Sequence, residues 1–79
     1  MRLDKFLKIS RVIKRRTIAN EVANAGRVSA NGKTAKPSYD VKIGDIIEIK
    51  FGDKISRIQI VNIPKVATKN IDEIIKIVE

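Results

Sequence analysis

Between Lys14 and Gly32 the chain reads KRRTIANEVANAGRVSANG, and few backbone paths suit that string. Ile18, Val22 and Ala25, with Ala19 and Ala23 beside them, recur at helical spacing and mark one apolar face of a short helix. Gly26 follows where a helix needs a left-handed residue to stop. Arg27-Val28-Ser29-Ala30 then reads as a strand, and Asn31-Gly32 is a strong hairpin signal because both residues tolerate positive φ. A two-residue turn there sets Val28 opposite Ala35 and Arg27 opposite Lys36 on the returning strand. This unit is too small to stand alone, so the rest of the chain must support it. Its helix opens on Lys14, Arg15 and Arg16, at the positive pole of the helix dipole. Each exposed charge there costs about 0.3–1 kcal/mol. A bound anion would relieve that cost, and the helix start offers free N–H groups to help hold it.

The distribution of charge points the same way. Residues 1–36 hold ten lysines and arginines against Asp4 and Glu21, whereas residues 37–79 hold seven bases and seven acids. The whole formal charge of +8 therefore resides in the first half. A one-sided excess of this kind suits a polyanion, and nucleic acid above all.

Other classes lose support from what is missing. The 79 residues allow one domain, and fifteen isoleucines fill its small core. With no Cys and no His, the chain has no thiolate nucleophile, disulfide or Cys-based zinc site, and no imidazole base or ligand. Asp40, Asp45 and Asp53 fall at turns, where Asp serves the backbone, so no catalytic pair is visible and no cofactor is expected. No apolar run exceeds two residues, which leaves neither a signal-peptide core nor a membrane span and makes the cytoplasm the default location. Phe6, Tyr39 and Phe51 are the only aromatics, too few and too scattered for a base-stacking platform, and no G-x-x-G clamp is present. A DNA-reading helix-turn-helix stays open through Asn20 and Asn24 on the second helix.

Taken in order, the chain begins with a helix over about residues 2–9, with Leu3, Phe6 and Leu7 inward. Asp4 belongs to its first turn, in reach of Lys8 at i+4. Arg2, Lys5 and Lys8 lie off the apolar face and continue into Arg11 and Lys14–Arg16 as one basic footprint. Arg27 and Lys36 form a second basic edge beside it. After Pro37, alternation resumes at Val41-Lys42-Ile43, and Ile47, Ile49 and Phe51 define a strand. A Gly52-Asp53 turn pairs Phe51 with Lys54, Glu48 with Arg57 and Ile47 with Ile58, on a strand that runs to Pro64. Asn70 and Glu73 make a capping box for a last amphipathic helix carrying Ile71, Ile74, Ile75 and Val78.

Four ordered blocks, Arg2-Leu3-Asp4-x-x-Leu7, Arg16-Thr17-x-Ala19, Gly26-Arg27-Val28-x-x-Asn31-Gly32 and Val41-x-x-Gly44-Asp45, resemble the S4 RNA-binding domain, named after small-subunit ribosomal protein four. The resemblance spans about residues 1–51, with a C-terminal hairpin and helix over about 52–79, in a single domain over 1–79. It implies an α+β fold: two N-terminal helices packed on a small antiparallel or mixed sheet of hairpins, plus a short C-terminal helix. It also implies that Arg2, Lys5 and Arg16, with Lys14 and Arg15 as neighbours, touch structured RNA. Gly26, Asn31, Gly32, Gly44 and Asp45 carry over as turn-formers only. With RLDKFL and IKRRT at the start and no catalytic domain attached, the chain is similar to the ribosome-associated quality-control family that includes RqcP and the fifteen-kilodalton heat-shock protein. The heat-shock members carry a long basic C-terminal extension, so the RqcP branch is the better match. That resemblance implies a monomer that binds large-subunit rRNA and P-site tRNA on stalled large ribosomal subunits and works with an RqcH-type tailing factor. The alternative reading is a general rRNA-binding assembly or recycling factor using the same surface.

Overall fold

A computed structural model describes residues 1–64 and 73–78. The elements run α1 (Leu3–Ile9), α2 (Arg16–Asn24), β1 (Val28–Ala30), β2 (Lys33–Thr34), β3 (Ile46–Phe51), β4 (Lys54–Ile60) and β5 (Ile75–Ile77).

The first N–H groups of a helix have no partner inside it, and at α1 they find one elsewhere. Leu3 N donates to the Tyr39 carbonyl at 2.8 Å, Asp4 N to the Pro37 carbonyl at 3.2 Å, and Lys5 N to Asp4 Oδ1 at 2.8 Å. The start of α1 is thus sewn to the segment that follows the first hairpin. At its far end Ser10 is the C-cap and Arg11 takes a left-handed φ of 61°.

The end of α2 follows the sequence expectation. Gly26 has φ 76°, its N–H reaches the Ala23 carbonyl at 3.1 Å, and Arg27 N reaches the Val22 carbonyl at 3.2 Å. These two bonds make a Schellman stop. The buried face differs from the one expected. Ala19 and Ala23 are buried and Val22 partly so, whereas Ile18 is 41% exposed and Ala25 lies in solvent. Two alanines let α2 lie close against α1, and an isoleucine at that seam would hold the helices apart.

All strand pairings are antiparallel, in the order β2-β1-β3-β4-β5. The first hairpin has the expected register, Ala30 with Lys33 and Ser29 with Thr34, around Asn31 at φ 53° and Gly32 at φ 85°. Ala35 N donates to the Val28 carbonyl, which carries that register one residue further. The second hairpin also matches: Phe51 pairs with Lys54, Glu48 with Arg57 and Ile47 with Ile58.

Three expectations for the chain after the first hairpin fail. Val41–Ile43 is no strand: Asp40 makes a single bridge to Arg2, and Ile43 is 65% exposed. β4 ends at Ile60, short of Pro64. The C-terminal helix is replaced over Ile75–Ile77 by β5, paired to β4 through Ile58–Ile77, Gln59–Lys76 and Ile60–Ile75. Ile75-Lys76-Ile77 fits a strand period as well as a helical one, and the open edge of β4 decides between them. Asn70 and Ile71, the front of the expected helix, lie outside the described residues.

The core lies between the helices and one face of the sheet. Leu3, Phe6 and Leu7 of α1 and Ala19 and Ala23 of α2 cluster with Val28, Ala30, Ile47, Ile49, Ile58, Ile60 and Ile74. Strand side chains alternate between faces. Ser29, Glu48, Arg57 and Gln59 therefore belong to the opposite face, which no described element covers.

Candidate nucleic-acid interface

The seam between α1 and α2 is organised by Asp4. Its side chain is only 3% exposed, a position where an unpaired carboxylate would be costly. Four groups meet it. Arg2 donates from Nε and Nη2, both at 3.2 Å, Asn20 Nδ2 donates at 3.2 Å, and the Lys5 N–H supplies the bond already described. The Arg16 guanidinium stands 3.6 Å away. Burial alone would push the Asp4 carboxyl up. The bonds from Asn20, Arg2 and the Lys5 N–H, together with the Arg16 charge, more than offset this and hold it below its usual value.

The expected Asp4–Lys8 pair is therefore not the one formed. The carboxylate turns inward to α2, where the seam removes water and more donors converge. Asn20, open at the sequence level as a base reader, spends its amide on Asp4 and accepts from Asn24 at 3.4 Å. Nothing in the periodicity of α2 singles out Asn20 for this task. The signal was available only as a polar residue beside the alanine face.

Arg2 and Arg16 are about half exposed, 52% and 49%, so each rests one edge on Asp4 and shows the rest to solvent. They frame a shallow depression of about 350 Å³ with Thr17 and Asn20 on its floor. A guanidinium carries five N–H donors in a planar fork, and Asp4 takes two of those of Arg2. The others remain free for a phosphate, which arginine can grip bidentately. The start of α2 adds to this: it has no side-chain cap and no acidic residue in its first turn.

The other basic residues expected at the interface are all exposed but do not all gather here. Lys5 and Lys8 lie on the solvent side of α1, and Lys14 and Arg15 lead directly into α2. Arg11 instead lines a separate depression of about 570 Å³, next to Val12, Ile55, Arg57 and Ile77. Arg27 and Lys36 stand at the open end of the first hairpin and make no bond to Asp4.

A second buried carboxylate fixes the hairpin. Asp45 accepts from Asn31 Nδ2 at 3.0 Å, from the Tyr39 hydroxyl at 2.8 Å and from Lys42 N at 3.0 Å. Asn31 Oδ1 in turn accepts from Ile46 N at 2.9 Å. Burial raises the Asp45 carboxyl, but these bonds prevail and lower it, while the Tyr39 hydroxyl is pushed up by its bond to Asp45. Asn31 and Asp45, read from sequence as turn-formers, also lock β1 to the start of β3.

No cluster of His, Cys, Asp or Glu suited to a metal ion occurs among the described residues, and no helix among them is long and apolar enough to cross a membrane.

An acid-anchored pair of arginines at a helix seam, in the half of the chain that carries all the excess positive charge, suits a polyanion backbone. A family model described as S4 domain matches residues 1–47, and the chain belongs to that family. The RQC P-site tRNA stabilizing factor of Bacillus subtilis is 60% identical over 60 residues, covering 76% of this chain and 70% of that protein. The factor of the same name from Streptococcus pneumoniae is 51% identical over 72 residues, covering 91% and 81%. Among solved structures, trimeric heat shock protein 15 of Vibrio cholerae superposes with a TM-score of 0.89 at 31% identity, covering 99% of this chain and 81% of that one.

Proposed function

We propose that this chain is a non-catalytic RNA-binding factor of ribosome-associated quality control. It acts in the cytoplasm as a monomer, on large ribosomal subunits obstructed by peptidyl-tRNA. There it binds large-subunit rRNA and P-site tRNA, and it assists an RqcH-type factor in tailing the stalled chain. The observation that carries this reading is the convergence of Arg2 and Arg16 on buried Asp4. It keeps two phosphate-gripping forks side by side in a chain whose relatives are named for stabilising P-site tRNA.

The rest of the face follows from charge. Lys5, Lys8, Lys14 and Arg15 extend the arginine pair along α1 and into α2, so a duplex backbone crossing the seam meets further cations, and Arg11 adds one beyond the end of α1, beside β4. Phosphate contacts of this kind fix position and orientation without reading bases. Recognition then rests on the shape of folded RNA and on hydroxyl and phosphate contacts.

Crosslinking in cells followed by sequencing of the attached RNA tests the assignment. Reads concentrated on large-subunit rRNA and tRNA are expected. Reads spread over messenger RNA would overturn the ribosomal reading.

A further inference from the structure

We infer that the open face of the sheet carries a second phosphate-binding site, a cross-strand row formed by Lys36, Arg27 and Lys50. It rests on the reading of this chain as an RNA-binding factor, and it adds a contact on a different layer of the fold.

The row follows from the backbone. Val28 pairs with Ile49, and the bond from Lys50 N to the Arg27 carbonyl at 2.9 Å carries that register one residue further, setting Arg27 opposite Lys50. On the other side of β1, the bond from Ala35 N to the Val28 carbonyl at 2.8 Å sets Lys36 opposite Arg27. Val28 and Ile49 are fully buried against the helices. Their neighbours Arg27 and Lys50 therefore take the other face, with Lys36 in line. Three exposed cations thus stand side by side, Lys50 on β3, Arg27 just before β1 and Lys36 just past β2, spaced by about 4.8 Å where the ladder register extends to them.

No described acid pairs with them: among the described residues, none of the ion pairs involves Lys36, Arg27 or Lys50. The acid on the same face, Glu48, is held by Arg57 at 3.0 Å. Like charges directly opposed across strands destabilise a sheet, and a domain this small has little stability to spare. A polyanion crossing the strands removes that repulsion, and an RNA backbone supplies successive phosphates along one line. Lys50 comes from the charge-neutral half of the sequence, so only the fold reveals that it completes the row.

The site is separate from the Arg2–Arg16 pair. That pair belongs to the helix layer, and the row belongs to the side of the sheet the helices leave open. An RNA strand on one does not occupy the other, which equips the chain to hold two RNA segments at once.

The experiment compares four variants for binding to purified large ribosomal subunits over a range of salt: Arg27→Gln with Lys50→Gln, Lys50→Arg, Lys76→Gln and Arg16→Ala. Lys76 is the same-face control. Through the Gln59–Lys76 and Lys50–Ile55 pairings it lies two strands and four residues away, about 10 Å across and about 13 Å along. The double glutamine variant is expected to bind more weakly, with a log K against log salt slope shallower by about 1.4–1.8. Lys50→Arg and Lys76→Gln should behave as the parent. The double variant should also melt no lower than the parent, because repulsion has been removed; a lower melt would overturn the repulsion argument. An unchanged slope for the double variant, with binding lost in Arg16→Ala, would overturn the second site and leave the RNA-binding reading standing. Unchanged binding in every variant would overturn that reading itself. Weakened binding to subunits with full binding to protein-free rRNA would place an acidic protein surface on the row and overturn the RNA assignment.

Discussion

Asp4 on α1 accepts a hydrogen bond from Asn20 on α2, sixteen positions away, at 3.2 Å. The bond does more than join two helices. With Asn20 on one side and the Lys5 N–H on another, the carboxylate has a fixed orientation, and it hands that orientation to Arg2 and Arg16. Without it the two guanidinium groups would repel each other and their long side chains would lose order. A structural acid is therefore what keeps a basic surface in place.

Asp4→Asn keeps the shape and removes the charge. It should cost about 1.5–3 kcal/mol near neutral pH, the range for hydrogen bonds to a charged group. The sign of the pH effect follows from a carboxyl held below the ordinary aspartate value by its bonds from Asn20, Arg2 and the Lys5 N–H. Its stabilising contribution is fully present above the unfolded value, and it is lost as pH falls through the lower folded value. The parent should thus lose stability as acid protonates Asp4, and Asp4→Asn should lose less over that window. Asp45 and Asp40 are depressed as well and will keep part of the slope. Denaturant midpoints measured from neutral pH down through the carboxyl range give the comparison. Parallel curves for parent and variant would show that Asp4 titrates alike folded and unfolded.

Phe6 is fully buried where α1 meets the sheet. Phe6→Ala should cost about 3–5 kcal/mol. For a domain of this size that lowers the thermal midpoint by more than about 12 °C. Thermal unfolding followed by circular dichroism checks it, and a shift of only a few degrees would mean that the site collapses around the smaller side chain.

How much of this was legible in the sequence depends on the range of the signal. Gly26, Asn31-Gly32 and Gly52-Asp53 act within a few residues, and both hairpin registers could be read from them. The helix 2 face could not, because Ile18 outranks Ala19 in hydrophobicity while close packing against α1 favours the smaller residue. β5 was hidden for a related reason: Ile74, Ile75, Ile77 and Val78 suit both periods, and only the distant edge of β4 selects the strand. At the candidate site, the basic residues were visible as charge. Their ordering by Asp4 and Asn20 was not, since a polar contact across sixteen residues leaves no local pattern. The Asn31–Asp45 lock escaped in the same way, with each residue fully accounted for by its own turn.

Arg11 holds φ 61° immediately after α1, where glycine would sit without strain. A left-handed conformation costs a residue with a side chain about 1–2 kcal/mol. Arg11→Gly should therefore raise stability by up to about 1 kcal/mol, net of the extra freedom glycine has when unfolded. Binding to large subunits should weaken at the same time, with a salt slope shallower by about 0.7–0.9. Opposite movements of melting temperature and affinity would mark Arg11 as a residue kept for contact at some expense to the fold. If the variant gains stability and binds as well as the parent, Arg11 lies outside the RNA face.

The assignment of the principal face rests most directly on Arg16. It stands at the first position of α2, about half exposed and 3.6 Å from Asp4, so its removal takes away a phosphate fork and little packing. Arg16→Ala should abolish co-sedimentation with large ribosomal subunits, and Arg2→Ala should weaken it. Arg2 shares the carboxylate but also forms the backbone bridge to Asp40, which its side chain does not supply. Arg16→Lys should restore binding only in part, because a single ammonium cannot reproduce the two parallel bonds of a guanidinium. Lys76→Ala, exposed on edge strand β5, removes the same charge far from the helix seam and should change little. Circular dichroism of each variant separates lost contact from lost fold. Normal binding by Arg16→Ala together with failure of Lys76→Ala would move the RNA face from the helix seam to the C-terminal edge of the sheet.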